Sequence, residues 1–347
     1  MSFEPTPVSL GAKPQPERLA VAGVGNALLD ITTEDHDGNH ERLGLVKGAM
    51  NLVDLERARE IYSHMGPARE TSGGSAANTI AGVAALGGSA GFAGKVSNDN
   101  FGEVFAHDLK SLGAEVDLAY ADASVIGTGR CHVFVTDDAQ RTMATYLGAA
   151  NQLQPEDVGD DLFSRADITF LEGYLFDLPP AKEAFRKVIR TAHDHDGLVA
   201  LTLSDSFCVE RHRDDFLALV SDDVDILIAN LGEITSLFQV ATLDAALSAV
   251  EELGILTVVT YGPEGAMVAT MGARHHVDAP NVPDHLVLDQ NGAGDVFAAG
   301  FLYGLSEGAD PVEATRLGAV CAGEIITHFG PRPETDLRAL CEEAGLL

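Results

Sequence analysis

At 347 residues, 46% hydrophobic and 22% charged, the chain has an ordinary globular balance, enough for one large α/β domain or two ordinary ones. Its 22 Lys and Arg face 53 Asp and Glu, a formal charge of −31, which argues against nonspecific nucleic-acid or anionic-membrane binding. An anionic substrate is not excluded, because a nest of main-chain N–H groups binds phosphate even on an acidic protein.

The first residues, MSFEPTPVSLGAKPQPERL, are polar and proline-punctuated, with no apolar signal-peptide core. A loose extension over residues 1–18 and a cytoplasmic protein are expected, since no run approaches a membrane span. Leu19–Gly25 (LAVAGVG) reads as a short buried strand ending in glycines. Residues 31–55 are polar, glycine-interrupted and weakly patterned, as short strands of a flap would be. TIAGVAALG from Thr79 has helical spacing, AGFAGKVS reads as a strand, and FGEVFAHDLKSLG as an amphipathic helix ended by Gly113. GTGRCHVFVT and TMATYL predict a hairpin with DDAQR as its turn.

From about Ala166, strand candidates ITFLEG, LVALTLS, DILIAN and LTVVTYG alternate with helical stretches such as AKEAFRKVIRTAHDH and LDAALSAVEELG. That alternation predicts a parallel sheet covered by helices, with ligands at the carboxyl ends of its strands. Cys131, Cys208, Cys321 and Cys341 are far apart and form no CxxC pair, so they read as thiols of a reducing compartment rather than zinc ligands or disulfides. His193-Asp194-His195-Asp196 and His275-His276 read as solvated turns rather than metal clusters.

Two stretches carry chemistry. In DQNGAGDVFAAGF (residues 289–301), Gly292, Ala293 and Gly294 run into Asp295 at the mouth of a helix. Small residues let main-chain N–H groups approach an anion, the helix adds its positive end, and the acid can accept a proton from an attacking hydroxyl. A glycine turn with a capping Asp accounts for the same letters. In GGSAANT, Gly73 and Gly74 open a helix and Asn78 offers both donor and acceptor to a polyol, against a plainer account as a flexible turn. Neither GxGxxG nor a Walker A loop is present.

In combination these stretches resemble a known family. GGSAANTIAGVAALGG with AGFAGKVSNDNFGEVFAHDL, and DQNGAGDVFAAGFLYG further on, resemble the two signatures of the ribokinase-like (PfkB) carbohydrate kinases, in that order. GNALLDI, GTGRCHVFVTDDAQRTMATYLGAA, LEGYLFD and ALTLSDSFCVERHR resemble its bacterial adenosine kinase branch, so that the likeness runs from about Leu19 to Arg338.

The resemblance implies a three-layer α/β/α sandwich with a mostly parallel sheet and a small β lid, one domain over 19–338 with lid segments at about 31–55 and 118–147. It implies ATP and Mg2+, and transfer to the 5′-hydroxyl of a nucleoside, adenosine foremost. A free sugar, guanosine or inosine is the alternative acceptor, and a weakly catalytic nucleotide or sugar sensor is a second alternative. By the same resemblance Asp295 is the base; Gly292, Ala293 and Gly294 form the anion hole; and Arg141, in the hairpin turn, reaches the phosphates. Asp30, Gly73, Gly74 and Asn78 would hold the ribose. Asn230 and Glu233 match an NxxE motif that organises magnesium through water, and Gly262 and Gly265 a nucleotide-binding turn; a capping box explains the NxxE letters equally.

Three places depart from the family's pattern: Gln290 stands where Thr is usual, Leu231-Gly232 replace an acidic position within NxxE, and Tyr261 and Pro263 replace more polar choices. The expected partner is a small molecule, with no nucleic acid or membrane, on a monomer or homodimer.

Overall fold

The computed structural model describes residues 18–35, 38–138, 140–270 and 272–347, so the expected N-terminal extension, Arg18 apart, lies outside the described residues. Short β-branched and small-residue runs, bounded by glycine and polar turns, form fourteen strands among them. In chain order the first eight are β1 (Leu19–Val24), β2 (Leu28–Glu34), β3 (Met50–Leu52), β4 (Arg69–Gly73), β5 (Ala90–Ser97), β6 (Glu115–Ala121), β7 (Gly129–Val135) and β8 (Arg141–Tyr146). The rest are β9 (Ala166–Glu172), β10 (Leu198–Thr202), β11 (Ile226–Asn230), β12 (Leu256–Thr260), β13 (Ala266–Thr270) and β14 (Ala273–Val277).

The larger sheet has nine strands in the order β14-β13-β12-β11-β10-β9-β1-β5-β6. It is parallel from β12 to β6, with β13 and β14 added antiparallel at one edge. Alternation along each inner strand feeds two helical layers. Val199 and Leu201 of β10 and Leu227 of β11 join one core with Phe163, Phe185 and Phe216. Ala200, Ile226 and Ile228 point the other way, into a core with Phe92, Phe105 and Phe301. Each such phenylalanine, fully buried, contributes roughly 1.5–3 kcal/mol by leaving water. This is the ribokinase-like three-layer α/β/α fold.

The second sheet has five strands, β3-β8-β7-β2-β4. On its outer face Phe134 and Ala144 pack with Ile61 of the helix Leu55–Ser63. Its inner face, carrying Leu28, Asp30, Met50, Cys131, Val133 and Met143, turns toward the large sheet. The strand Arg69–Gly73 of this sheet carried no signal in the sequence reading. The expected lid segment 118–147 also begins too early: Leu118–Ala121 belong to β6 and pair with Gly94–Ser97 of the large sheet, because the main sheet needs that strand to cover the edge of β5. Likewise the 31–55 segment is only partly strand, holding the short helix Asn39–Arg42 between β2 and β3. Among the described residues no helix is long and apolar enough to cross a membrane. All four cysteines are buried, and none of them forms a disulfide.

Candidate active site

A cleft of about 400 Å3 opens where the inner face of the small sheet meets the carboxyl ends of the large sheet's strands. Strand ends deliver Glu172 (β9), Thr202 (β10), Asn230 (β11) and Thr260 (β12) to its floor, the placement that an open α/β sheet prescribes. The opposite wall is the small sheet, whose period of two sets Leu28 with Asp30, Cys131 with Val133, and Met143 with Thr145 on one face.

Asp295 lies in the first turn of the helix Ala293–Ser306. Its Oδ1 accepts from the Ser75 hydroxyl at 2.6 Å and its Oδ2 from Asn78 Nδ2 at 2.8 Å. The same helix mouth has Gly292 as N-cap at φ 76, and among the described residues no side chain caps it. A Cβ at Gly292 would meet Pro331 Cβ at 2.5 Å, so both the left-handed backbone and the close neighbour demand glycine. At Gly294 nothing lies within 4 Å of a would-be Cβ, and the residue faces open space at the cleft rim. The turn therefore offers the main-chain N–H groups of Gly292 and Gly294 and the positive end of a helix beside a carboxylate, while the Ala293 N–H donates to the Gln290 carbonyl at 3.4 Å. Burial raises the Asp295 pKa, against the pull of its two hydrogen bonds and of Arg332.

Gly74 begins the helix Ser75–Ala85 at φ 97, and a Cβ there would lie 2.0 Å from the carbonyl oxygen of Asn26. Gly73 pairs with Leu28 in register and sits against the Asp30 carboxyl. Asp30 is 6% exposed; burial pushes it up to about 6, opposed by Arg332 and Arg141 and reinforced by Asp295. Asp30, Gly74, Asn78, Gly292, Gly294 and Asp295 thus border one cavity.

Asn230 and Glu233 form the reciprocal capping box. Asn230 Oδ1 accepts from Glu233 N at 2.9 Å, while Glu233 accepts from Asn230 N at 2.9 Å and from its Nδ2 at 2.6 Å. Both residues also border the cleft, so the cap and a place beside the ligand coexist. Gly262 and Gly265 are not brought into the cleft wall. They belong to the β12–β13 turn, where Gly265 at φ 98 fits against the Val277 carbonyl, so the hairpin's own backbone accounts for them.

Arg141 is not in the hairpin turn. The ladder extends to a Val135–Arg141 pair, making Arg141 the first residue of β8, on the same face as Met143 and Thr145. Its guanidinium is paired with buried Asp289, and burial lowers its pKa to about 10. The His193–Asp196 turn is held by a local bond from His195 to the Thr191 carbonyl and by a longer-range contact of His193 with Asp225.

Four residues went unremarked in the sequence. Glu172 stood inside LEGYLFD; 1% exposed, it accepts from Asn26 Nδ2 at 2.7 Å and from the Ala76 amide at 2.8 Å. Ser75 and Asp289 lay within quoted signatures, and the spacing alone did not say which of their atoms would be used. Arg332 follows the last long helix in no motif at all. It donates from Nη1 to Asn78 Oδ1 at 2.6 Å and from Nη2 to the Ser72 carbonyl at 2.6 Å and hydroxyl at 2.7 Å.

The donor set for a metal is hard oxygen. Burial pushes Glu172 and Glu233 each up to about 7, with charge from Asp295 adding to both and from Asp205 to Glu233. Among the described residues no group of three or more His, Cys, Asp or Glu could hold a metal ion. The arrangement fits an ion carried in by a polyphosphate and held through water, and does not fit a dedicated protein cage.

Main-chain N–H groups at an uncapped helix mouth beside a buried carboxylate, in a roofed cleft, are the kind of arrangement that transfer of a phosphoryl group to a hydroxyl needs. The protein is a phosphotransferase with a hydroxyl acceptor, and the comparisons with known proteins supply its kin. The sequence model of the pfkB family carbohydrate kinases matches residues 44–337, and the chain belongs to that family. Membership implies ATP as the phosphate donor.

Two solved structures are similar at 43% identity. One is a probable sugar kinase protein from Rhizobium etli CFN 42, at a TM-score of 0.90 over 95% of this chain and 100% of that one. The other is an adenosine kinase from Sinorhizobium meliloti, at 0.88 over 94% and 99%. Among characterised relatives, the adenosine kinase of Saccharomyces cerevisiae is 27% identical over 328 residues, spanning 89% of this chain and 95% of the yeast protein.

Proposed function

We propose that the protein phosphorylates the 5′-hydroxyl of a nucleoside, adenosine before others, at the expense of ATP. The observation that carries this choice is the apolar wall of the cleft: Leu28, Met50, Leu52, Val133, Met143 and Leu147 face the acceptor side around Asp30. A free sugar has hydroxyls to satisfy all round and gains little from such a wall, whereas a nucleobase buries its faces against it. The likeness to an adenosine kinase at 43% identity supports the same reading.

In this reading Asp30 accepts hydrogen bonds from the ribose diol, a task that suits a carboxylate with two oxygens, and Gly73, Gly74 and Asn78 border the same ribose. The acceptor's 5′-hydroxyl stands beside Asp295, whose carboxylate takes its proton as the oxygen attacks the γ-phosphorus. The new O–P bond forms as the bond from that phosphorus to the β–γ bridging oxygen breaks, and ADP leaves with that electron pair. The main-chain N–H groups of Gly292 and Gly294 face the charge that grows on the transferring group, which Ala293 could join by releasing the Gln290 carbonyl and Arg141 by sharing its guanidinium with Asp289. Asn230 and Glu233 would hold magnesium through water; bound to the polyphosphate, the ion neutralises charge there. Gly262 and Gly265 shape the turn next to the nucleotide end of the cleft. The small sheet, with segments 31–55 and 122–147, acts as the lid of the single domain 19–338 and keeps water from ATP during transfer.

The reading is tested by ADP release with adenosine, guanosine, inosine, ribose and fructose derivatives, for the parent and for Asp295→Asn. Adenosine should give the highest kcat/KM, and the variant should lose roughly 100- to 10,000-fold in kcat while remaining folded. Preference for a free sugar would replace the acceptor, and near-parental turnover by the variant would remove the base.

A further inference from the structure

We infer that Arg332 is a positioning residue for the transfer, setting the amide of Asn78 and through it the Asp295 carboxylate; the inference rests on the reading of Asp295 as the base. The two ends of an Asn amide are nearly the same shape, but one donates and the other accepts. A guanidinium only donates, so the end of Asn78 that meets Arg332 Nη1 at 2.6 Å is its Oδ1. Nδ2 is thereby turned to Asp295 Oδ2, to which it donates at 2.8 Å. With Ser75 on Oδ1, both oxygens of the base are pinned and the plane of the carboxylate is set.

Arg332 is itself held by a part of the fold far away in sequence. Its Nη2 is bound to Ser72 of β4, the residue just before the Gly73-Gly74 turn, and Ser72 in turn donates to Asp108 of the helix Asn100–Ser111. Arg332 is not among the residues bordering the cleft, so its action is through Asn78 and through charge.

The charge matters because burial opposes the ionisation of Asp295, while the hydrogen bonds from Ser75 and Asn78 and then the Arg332 charge favour it. The titratable groups facing it are Asp30 from β2, Glu172 from β9, Glu233 from the helix Leu231–Phe238 and the Tyr174 hydroxyl beyond β9, and the Asp295 charge raises the pKa of each. Arg332, from the segment after the helix Pro311–Ile325, pulls the Asp295 pKa down and does the same at Asp30. Arg332 thus favours the ionised base and turns the base's hydrogen-bond partner toward it.

The experiment compares Arg332→Gln and Arg332→Lys with the parent in the full chain, using ATP, Mg2+ and adenosine over pH 5–9, with Asp295→Asn as control. Arg332→Gln should lower kcat roughly 10- to 100-fold with KM for ATP within about twofold, and move the acid limb of the kcat profile up by about one pH unit. Arg332→Lys keeps the charge without the fork, so the limb should stay near the parent's while kcat remains at least about tenfold down. Added guanidinium should restore part of the turnover of Arg332→Ala.

Parental kcat in Arg332→Lys, which retains charge and most of the volume, overturns the inference. So does a slow, folded Arg332→Gln whose acid limb has not moved. If Asp295→Asn turns over normally, the base assignment fails first; if that variant is inactive while the Arg332 variants behave as the parent, only the role of Arg332 is lost.

Discussion

Arg141 at the start of β8 and Asp289, three residues before Gly292, form an ion pair with side chains 9% and 0% exposed. Asp289 accepts in addition from the amides of Asn291 at 3.0 Å and Gly330 at 2.8 Å. One carboxylate therefore ties the small sheet to the loop leading to Gly292 and to the segment that carries Arg332. The resemblance assigned Arg141 to the phosphates; in the structure its fork already holds a carboxylate, so a phosphate has to compete with Asp289 or share the guanidinium with it.

Removing one partner of this pair leaves a buried charge uncompensated. Arg141→Met should cost about 3 kcal/mol of unfolding free energy, measured by urea denaturation. Arg141→Met combined with Asp289→Asn should cost less than the sum of the single variants, and strict additivity would mean that the pair carries no coupling.

Gly292 and Gly294 are two glycines with different reasons. Gly292→Ala meets both a φ of 76 and Pro331, and is expected to lose about 1–2 kcal/mol of stability as well as activity. Gly294→Ala has open space at a helical backbone position and should keep its melting temperature within about 2 °C. Its effect on kcat then reports on phosphate access alone. Equal melting losses in the two variants would refute the distinction.

The buried carboxylates make stability fall as pH rises. Glu172, raised from 4.5 to about 7, favours the folded state most fully below pH 4.5, and this contribution is lost as pH climbs through 7. The loss is on the order of 3 kcal/mol. Glu172→Gln gives up one acceptor, so it should be less stable than the parent at pH 5, with the gap narrowing or reversing by pH 8. Chemical denaturation at the two pH values checks the sign; a gap independent of pH would place Glu172 outside the titrating set.

The proposed role of the apolar wall in choosing the acceptor has its own test. Met143→Gln should raise KM for adenosine roughly tenfold, the worth of about 1–2 kcal/mol of apolar contact, and leave KM for ATP near its parental value. Steady-state kinetics with each substrate varied in turn decides it. An unchanged KM for adenosine would separate the nucleobase from this wall.

Much of the architecture was legible in the letters. Strand–helix alternation after Ala166 gave the parallel sheet because fully buried strands and amphipathic helices have different periods. The glycines at 73, 74 and 292 stood out because backbone demands of that kind have few other solutions. Boundaries were less legible: β6 looked like lid, since a polar edge strand with one face in solvent carries the same pattern as a flap. Gly262 and Gly265 carried a strong turn signal, but a turn's glycines report its backbone and not what lies next to it.

The sequence by itself determined the family and the alternation of strands and helices, and it pointed to a candidate base, because local propensity and short signatures encode them. The tertiary structure alone decided which side chains meet. Asp295 with Ser75 and Asn78, Asn78 with Arg332, and Arg141 with Asp289 are joined across 220, 217, 254 and 148 residues. Contacts of that span follow from which strand lies beside which and which face it turns inward, and no window of the chain contains both partners.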